Sequence, residues 1–186
     1  SFNKKRRTVN YDLIREIVVW IFQIAIVCLI AFVGVKYFGQ RVSMIGDSMN
    51  PILGNGDITL INELAYSTGT PDRGDIVAFK PNGNENAHYS IKRVVGLPGE
   101  TVEILDGEVY INGEKLEEEY VTTEILEVGI VDEAVSLGSK EYFVLGDDRQ
   151  NSEDSRTANI GNVKRTEIKG KVWFVISPWE NFGFVK

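Results

Sequence analysis

The stretch Thr101-Val102-Glu103-Ile104-Leu105-Asp106-Gly107-Glu108-Val109-Tyr110-Ile111-Asn112-Gly113 consists of two short extended runs on either side of an Asp-Gly pair. Such a pair signals a two-residue hairpin, because both positions tolerate the positive φ that the turn needs. Asn112-Gly113 supplies a second turn directly afterwards. The same texture holds on both sides. Residues 57–61 follow Gly54-Asn55-Gly56, residues 75–80 follow Pro71-Asp72-Arg73-Gly74, and residues 90–95 end at Gly96-Leu97-Pro98-Gly99. Residues 141–145 and 171–176 complete a set of strands at the spacing of an all-β body. No internal repeat or low-complexity linker interrupts it. The expected fold class is mainly β, with an antiparallel sheet forming the body.

Ahead of this body lies a segment of another kind. Residues 17–35 are 19 consecutive residues without a formal charge, rich in Ile, Val, Phe and Ala. As a helix they span about 28 Å, close to the hydrocarbon thickness of a bilayer. Trp20 and Tyr37 suit the two interfaces, and Arg15, Glu16 and Lys36 mark the edges. A cleaved secretory signal has a shorter apolar core and a small-x-small site directly after it, which is missing here. A buried core helix needs a polar face, which this run lacks. Lys4-Lys5-Arg6-Arg7 ahead of the run predicts a cytoplasmic N-terminus. The expected organisation is a basic cytoplasmic tip over 1–16, one transmembrane helix over 17–36 and an extracytoplasmic body over 37–186.

Charge supports this division. Residues 1–36 carry six Lys/Arg against two acids, a net +4, and the remaining 150 residues carry 14 basic and 25 acidic side chains, a net −11. An acidic body is the wrong sign for phosphate, so nucleic acid is not its partner. One Cys and one His leave no ligands for a structural zinc site or an iron–sulfur cluster and no pair for an internal disulfide. Cys28, inside the apolar run, reads as a small packing or lipid-facing residue. Acids crowd the stretch from Glu114 to Glu133, and a solvated, non-catalytic excursion near 101–140 is expected, with a spacing that fits no EF-hand loop. Residues 81–87 read as a solvated loop tip. Trp173, Pro178, Trp179, Phe182 and Phe184 read as core or sheet-edge packing, with insertion into the membrane interface as the minority alternative.

Three stretches carry groups able to do chemistry. In Gly46-Asp47-Ser48-Met49-Asn50-Pro51, glycine and proline constrain the backbone around a hydroxyl, which suits a capped turn or a presented nucleophile. A Ser-His-Asp triad needs a histidine, and only His88 exists, beside the Asn-rich loop. Gly46-Asp47-Ser48 superficially matches the lipase and esterase motif, but those enzymes need a late histidine that this chain does not have. Any base for Ser48 is therefore a lysine, whose pKa must fall from about 10.4 towards 8 by desolvation. Lys92 lies within the β-branched stretch Ser90-Ile91-Lys92-Arg93-Val94-Val95. There Lys92 and Arg93 point to opposite faces and periodicity does not say which is inward. Taken alone, that stretch reads as an edge strand with two solvated cations. The third stretch, 145–156, suits either a hydrogen-bonded loop or a rigid support for a neighbouring site.

Together these stretches closely resemble the type I signal peptidases, membrane-anchored Ser/Lys endopeptidases with a β-rich catalytic domain. The matching strings are Gly46-Asp47-Ser48-Met49-Asn50-Pro51-Ile52-Leu53, then Arg73-Gly74-Asp75-Ile76-Val77-Ala78-Phe79. Ile91-Lys92-Arg93-Val94-Val95-Gly96-Leu97-Pro98-Gly99-Glu100 follows. Leu145-Gly146-Asp147-Asp148-Arg149 and Asn151-Ser152-Glu153-Asp154-Ser155-Arg156 complete the set. They stand in the family's order after one anchor and cover nearly the whole chain, in the short form common in Gram-positive bacteria. The resemblance implies Ser48 as nucleophile, Lys92 as general base and Ser152 as a hydrogen-bond partner that orients the lysine amine. It implies an ion-paired framework of Asp147, Asp154, Arg156 and Arg93, and a substrate groove shaped in part by Met49. It implies acyl-enzyme cleavage of exported preproteins at the outer face of the cytoplasmic membrane, after small residues at the first and third positions before the bond. No metal or cofactor is implied.

Two departures stand out. Gly46 occupies a position where some members carry a hydroxyl that completes the oxyanion hole, and Asp148 replaces a frequent amide. A non-catalytic relative serving as a chaperone in pilus assembly is the alternative, but such proteins lose the serine or lysine that this chain keeps. A self-cleaving repressor of the same body fold would carry a DNA-binding head in place of the anchor.

Overall fold

The computed structural model describes residues 11–121, 123–131 and 133–185. The basic tip Lys4-Lys5-Arg6-Arg7 lies outside them, as do Asp132 and Lys186. The chain divides into two units, residues 1–36 and 37–186.

All but the last two residues of helix α1, Tyr11–Phe38, belong to the first unit. The helix is about 42 Å long at the usual rise per residue. None of its residues is buried, and it is long and apolar enough to cross a membrane. It outruns the uncharged stretch at both ends, with Asp12 in its first turn and Lys36 in its last, each complementing the helix dipole.

Among the described residues the second unit has twelve strands: β1 Gln40–Ser43, β2 Ile58–Asn62, β3 Ile76–Phe79, β4 Ser90–Gly96, β5 Thr101–Leu105, β6 Glu108–Ile111, β7 Glu114–Lys115, β8 Val135–Ser136, β9 Glu141–Leu145, β10 Val163–Lys164, β11 Ile168–Ser177 and β12 Gly183–Phe184. Every described pairing is antiparallel. The larger sheet runs β1-β2-β11-β3-β4-β9-β10, with β12 also on β11, and the smaller runs β7-β6-β5-β8. The mainly antiparallel β fold with one apolar N-terminal helix is thus the observed architecture.

The hairpin at Asp106-Gly107 forms as its residues dictate, with φ of 50° and 79° at the two turn positions and Leu105 opposite Glu108. Asn112 and Gly113 repeat the geometry at 53° and 84° and return the chain into β7. β4 overturns the edge-strand expectation. It is paired with β3 on one side and β9 on the other, and six of its seven residues are buried, Lys92 and Arg93 among them. Those pairings come from segments far away in sequence, which local pattern does not reveal. Ile76, Ala78 and Ile91 pack with Met44, Met49 and Leu53, while Val77, Phe79 and Val94 pack with Tyr142 and Val144. A third cluster fills the space between the sheets around Val95, Val102 and Phe143.

The C-terminal aromatics divide. Trp173 is partly buried, with its ring 5.5 Å from that of Phe174, whereas Trp179 is 81% exposed and stacks on Phe182. Core or edge packing therefore fails for Trp179, because the chain leaves the sheet at Ser177 and turns through a short 3-10 segment, Trp179–Asn181.

Candidate active site

Ser48 sits in a turn closed by a hydrogen bond from Asn50 N–H to the Asp47 carbonyl at 2.9 Å, continued by one from Leu53 N–H to the Met49 carbonyl at 2.9 Å. Gly46 enters this turn at φ 78°, with its N–H donated to Asn55 Oδ1 at 3.0 Å. The Asn55 N–H in turn donates to Asp47 Oδ1 at 3.3 Å. A Cβ at Gly46 would meet nothing within 4 Å, so the left-handed backbone, not space, favours glycine there. A hydroxyl residue at this position would be strained, and the departure from the hydroxyl-bearing pattern has a backbone cause.

Met49 is fully buried, packed in the cluster with Met44, Leu53 and Ile91. The residue expected, with the backbone around it, to help shape the substrate groove thus has no solvent-exposed surface. An unbranched, adaptable side chain beside the turn acts as a plug that seats Ser48, and its burial is worth roughly 1.5–3 kcal/mol.

β4 carries Lys92 to this turn. Lys92 Nζ lies 2.7 Å from Ser48 Oγ, and both residues are only 6% exposed. Burial pushes the Lys92 amine down to about 8, helped by the Arg156 guanidinium and opposed by the charges of Asp154, Glu153 and Asp147. Near pH 8 about half of such amines are neutral and able to accept a proton. The geometry and protonation state together suit proton abstraction from Ser48.

Arg93, the next residue on the strand, binds Asp147 through both carboxylate oxygens, at 2.7 and 2.6 Å, and donates to the Gly74 carbonyl at 2.8 Å. Both partners are buried, so leaving one uncompensated costs about 3–5 kcal/mol. Asp147 opens the loop after β9, and Asp154 and Arg156 close it. Asp154 accepts Arg156 Nε at 2.8 Å and Nη2 at 2.9 Å, and takes the Gly146 N–H at 3.1 Å. A bond from Asp148 N–H to the Ser48 carbonyl, at 3.1 Å, ties this loop to the nucleophile turn. The Asp148 carboxylate folds back on its own loop, accepting Asn151 Nδ2 at 2.9 Å, a bond that holds its pKa below the ordinary value.

Ser152 is brought to the site without the contact expected of it: its Oγ is buried and makes no hydrogen bond, and the Lys92 amine is donated to Ser48. The loop nevertheless delivers Ser152 to the neighbourhood of the nucleophile. A Cβ on Gly146 would stand 2.6 Å from Ser152 Cβ and would overlap both Ser152 Oγ and the Ser48 carbonyl.

The structure thus gathers Ser48, Lys92, Arg93, Asp147, Asp154 and Arg156 into one buried constellation. His88 is exposed and belongs to no part of it. Sequence reading missed Asn55, Gly146, Glu118 and Thr123. Asn55 was hidden in a Gly-Asn-Gly turn, where an amide reads as turn chemistry. Glu118 was hidden in the acid run, yet it is turned inward onto Arg149 at 2.6 Å, so the expectation of a wholly solvated excursion is corrected at this residue. The physical reason is the buried Arg149 guanidinium, which needs a counter-charge. Among the described residues, no group of three or more His, Cys, Asp or Glu side chains is arranged to hold a metal ion.

Known proteins match this chain along most of its length. Residues 17–179 fit the family described as signal peptidase, peptidase S26. Signal peptidase IB of Staphylococcus aureus (strain COL) is 32% identical over 183 residues, covering 90% of this chain and 93% of its own. Signal peptidase I P of Bacillus subtilis subsp. natto is 30% identical over 192 residues, covering 100% of both chains. A crystal structure of a signal peptidase I from Enterococcus faecalis V583 is 36% identical, with a TM-score of 0.46, and covers 55% of this chain and 97% of its own. With its buried serine and lysine in contact and its sequence matched over both, the chain belongs to the S26 signal peptidase family and is a serine endopeptidase.

Proposed function

We propose that this protein removes N-terminal signal peptides from exported preproteins by a Ser48–Lys92 acyl-enzyme mechanism, at the outer face of the cytoplasmic membrane, and cuts after small residues at the first and third positions before the bond. The observation that carries the reading is the 2.7 Å contact between Lys92 Nζ and Ser48 Oγ in a site closed to solvent. In the first step the neutral Lys92 amine takes the Ser48 proton as Oγ attacks the scissile carbonyl carbon. The ammonium so formed passes that proton to the leaving amine, which frees the mature protein and leaves the signal peptide esterified to Ser48. Lys92, neutral again, takes a proton from water as the water attacks the ester. The signal peptide leaves as a carboxylate and Ser48 regains its proton. The Ser48 N–H serves as one oxyanion donor, and Gly46 supplies no hydroxyl for a second.

Arg93, Asp147, Asp154 and Arg156 hold the frame around Lys92, Ser152 contributes a small polar wall, and Met49 seats the turn. No step uses a metal or cofactor. α1 anchors the chain in the bilayer by one pass, with its N-terminus cytoplasmic. The test is cleavage of a purified preprotein in detergent or lipid, followed by N-terminal sequencing of the product. The expected cut lies after a small residue with another small residue two positions before it. Replacing the residue directly before the bond by phenylalanine is expected to lower kcat/KM about 100-fold or more. A cut at internal sites of the mature chain, unaffected by that replacement, contradicts the reading.

A further inference from the structure

The segment between β7 and β8 is rich in acids, and Glu117, Glu119, Glu124, Glu127 and Glu133 face solvent as such residues ordinarily do. Glu118 does not. Its side chain is 8% exposed and its carboxylate pairs at 2.6 Å with Arg149, whose side chain is 2% exposed. The Tyr120 hydroxyl donates to the same carboxylate oxygen at 3.0 Å, and the Tyr120 ring lies 3.9 Å from the Arg93 guanidinium carbon. Thr123 Oγ1 accepts the Arg149 N–H at 2.8 Å and donates to Asp148 at 3.2 Å. Further along, Ile130 N–H donates to the Arg156 carbonyl at 2.9 Å, and Arg156 Nη1 donates to the Glu127 carbonyl at 3.2 Å. One segment outside the catalytic constellation therefore grips three arginines, Arg93, Arg149 and Arg156. Two of them neutralise the aspartates nearest Lys92, and the third closes the loop on itself through Gly146 O.

We propose that Glu118 and Tyr120 are positioning residues for the Ser48–Lys92 pair, acting as a strap that holds Arg93 on Asp147 and fixes the loop from Gly146 to Arg156 against the site. The inference rests on the Ser/Lys reading of the site. The Tyr120 ring covers the face of Arg93, a cation–π contact that strengthens as water is excluded. Burial and the Glu118 charge raise the phenol far above its ordinary pKa, so it stays a neutral donor to that carboxylate. Around Lys92 stand Asp147, Glu153, Asp154 and Arg156 from the loop, Arg93 from its own strand and Ser48 from the turn. With the ring gone, water reaches Arg93, its hold on Asp147 weakens, and the uncovered aspartate charge favours the protonated amine. The consequence is a base that is neutral only at higher pH.

The full-length protein in detergent, assayed on a peptide with alanine at the two specificity positions, gives the test. Tyr120→Leu is expected to move the ascending limb of the kcat–pH profile upward by about one pH unit, which lowers kcat about tenfold at pH 7 and little at pH 10. KM is expected to stay within about twofold. Tyr120→Phe, which keeps the ring over Arg93, is expected to leave the limb in place. Should Tyr120→Leu fail to fold, Glu118→Gln, with the same shape but no charge for Arg149, is expected to show the same displacement. A limb that stays at the wild-type position in the folded variants, with only the melting temperature lowered, overturns the strap. Activity that survives Lys92→Met overturns instead the reading on which the strap rests, so the two failures are distinct.

Discussion

Lys92→Met is expected to lower kcat/KM for peptide cleavage by about 10⁴-fold, with Ser48→Ala at least as severe and His88→Ala within about twofold of the parent. Methionine has nearly the length of lysine and fills much the same buried space beside β4, so the loss isolates the amine from the packing. The same substitution is expected to stabilise the fold. The amine is pushed from 10.5 down to about 8, chiefly by burial, so the unfolded chain holds its proton more tightly than the folded one. The penalty is fully present below pH 8 and vanishes as pH rises from about 8 to 10.5, so stability climbs with pH across that window. At neutral pH it amounts to about 3 kcal/mol, and removing the amine is expected to recover much of it as a higher melting temperature. Thermal denaturation at pH 7 and at pH 10 checks the sign: the gain of Lys92→Met over the parent is expected to shrink at the higher pH. A gain in stability with loss of activity marks a group kept for chemistry.

Gly146→Ala is expected to be the next most damaging, for a steric reason. The added Cβ would overlap Ser152 Oγ and the Ser48 carbonyl, two groups belonging to separate segments. Something must move, and both movable parts carry the site. Overpacking of this sort costs about 1–3 kcal/mol in stability, and displacement of the nucleophile turn by a fraction of an ångström to an ångström costs about 100-fold in kcat. Single-turnover cleavage separates the two, because the chemical step slows even in protein shown to be folded. Ser152→Gly in the Gly146→Ala background removes one of the two overlaps and is expected to recover part of the stability.

Much of the fold was legible because its signals are local. Asp106-Gly107 and Asn112-Gly113 set their turns through their own backbone preferences, and the uncharged run declares a membrane-length helix by composition alone. The neighbours of β4 were not legible. Whether Lys92 and Arg93 face water depends on β3 and β9, and β9 begins 45 positions beyond Gly96. The β-branched stretch marked Lys92 out among the lysines, but only the resemblance to a known family made it the general base. The Ser48–Lys92 contact joins residues 44 apart, and the Arg93–Asp147 pair joins residues 54 apart. No periodicity encodes such distances. Glu118 failed for the opposite reason, since acids in a run ordinarily mean a solvated face. One of them turns inward because Arg149, 31 positions away, is buried and needs a counter-charge.

The pH dependence of kcat/KM for the alanine-bearing peptide, measured on the parent and on Lys92→Met, is the most direct test of Ser48 activation by a desolvated lysine. The parent is expected to show an ascending limb with its midpoint near 8, the pH at which half the Lys92 amines are neutral. The residual activity of Lys92→Met is expected to lack that limb. A midpoint near 6.5, where an ordinary histidine titrates, or a Lys92→Met enzyme with the parent's profile and rate, would contradict the account.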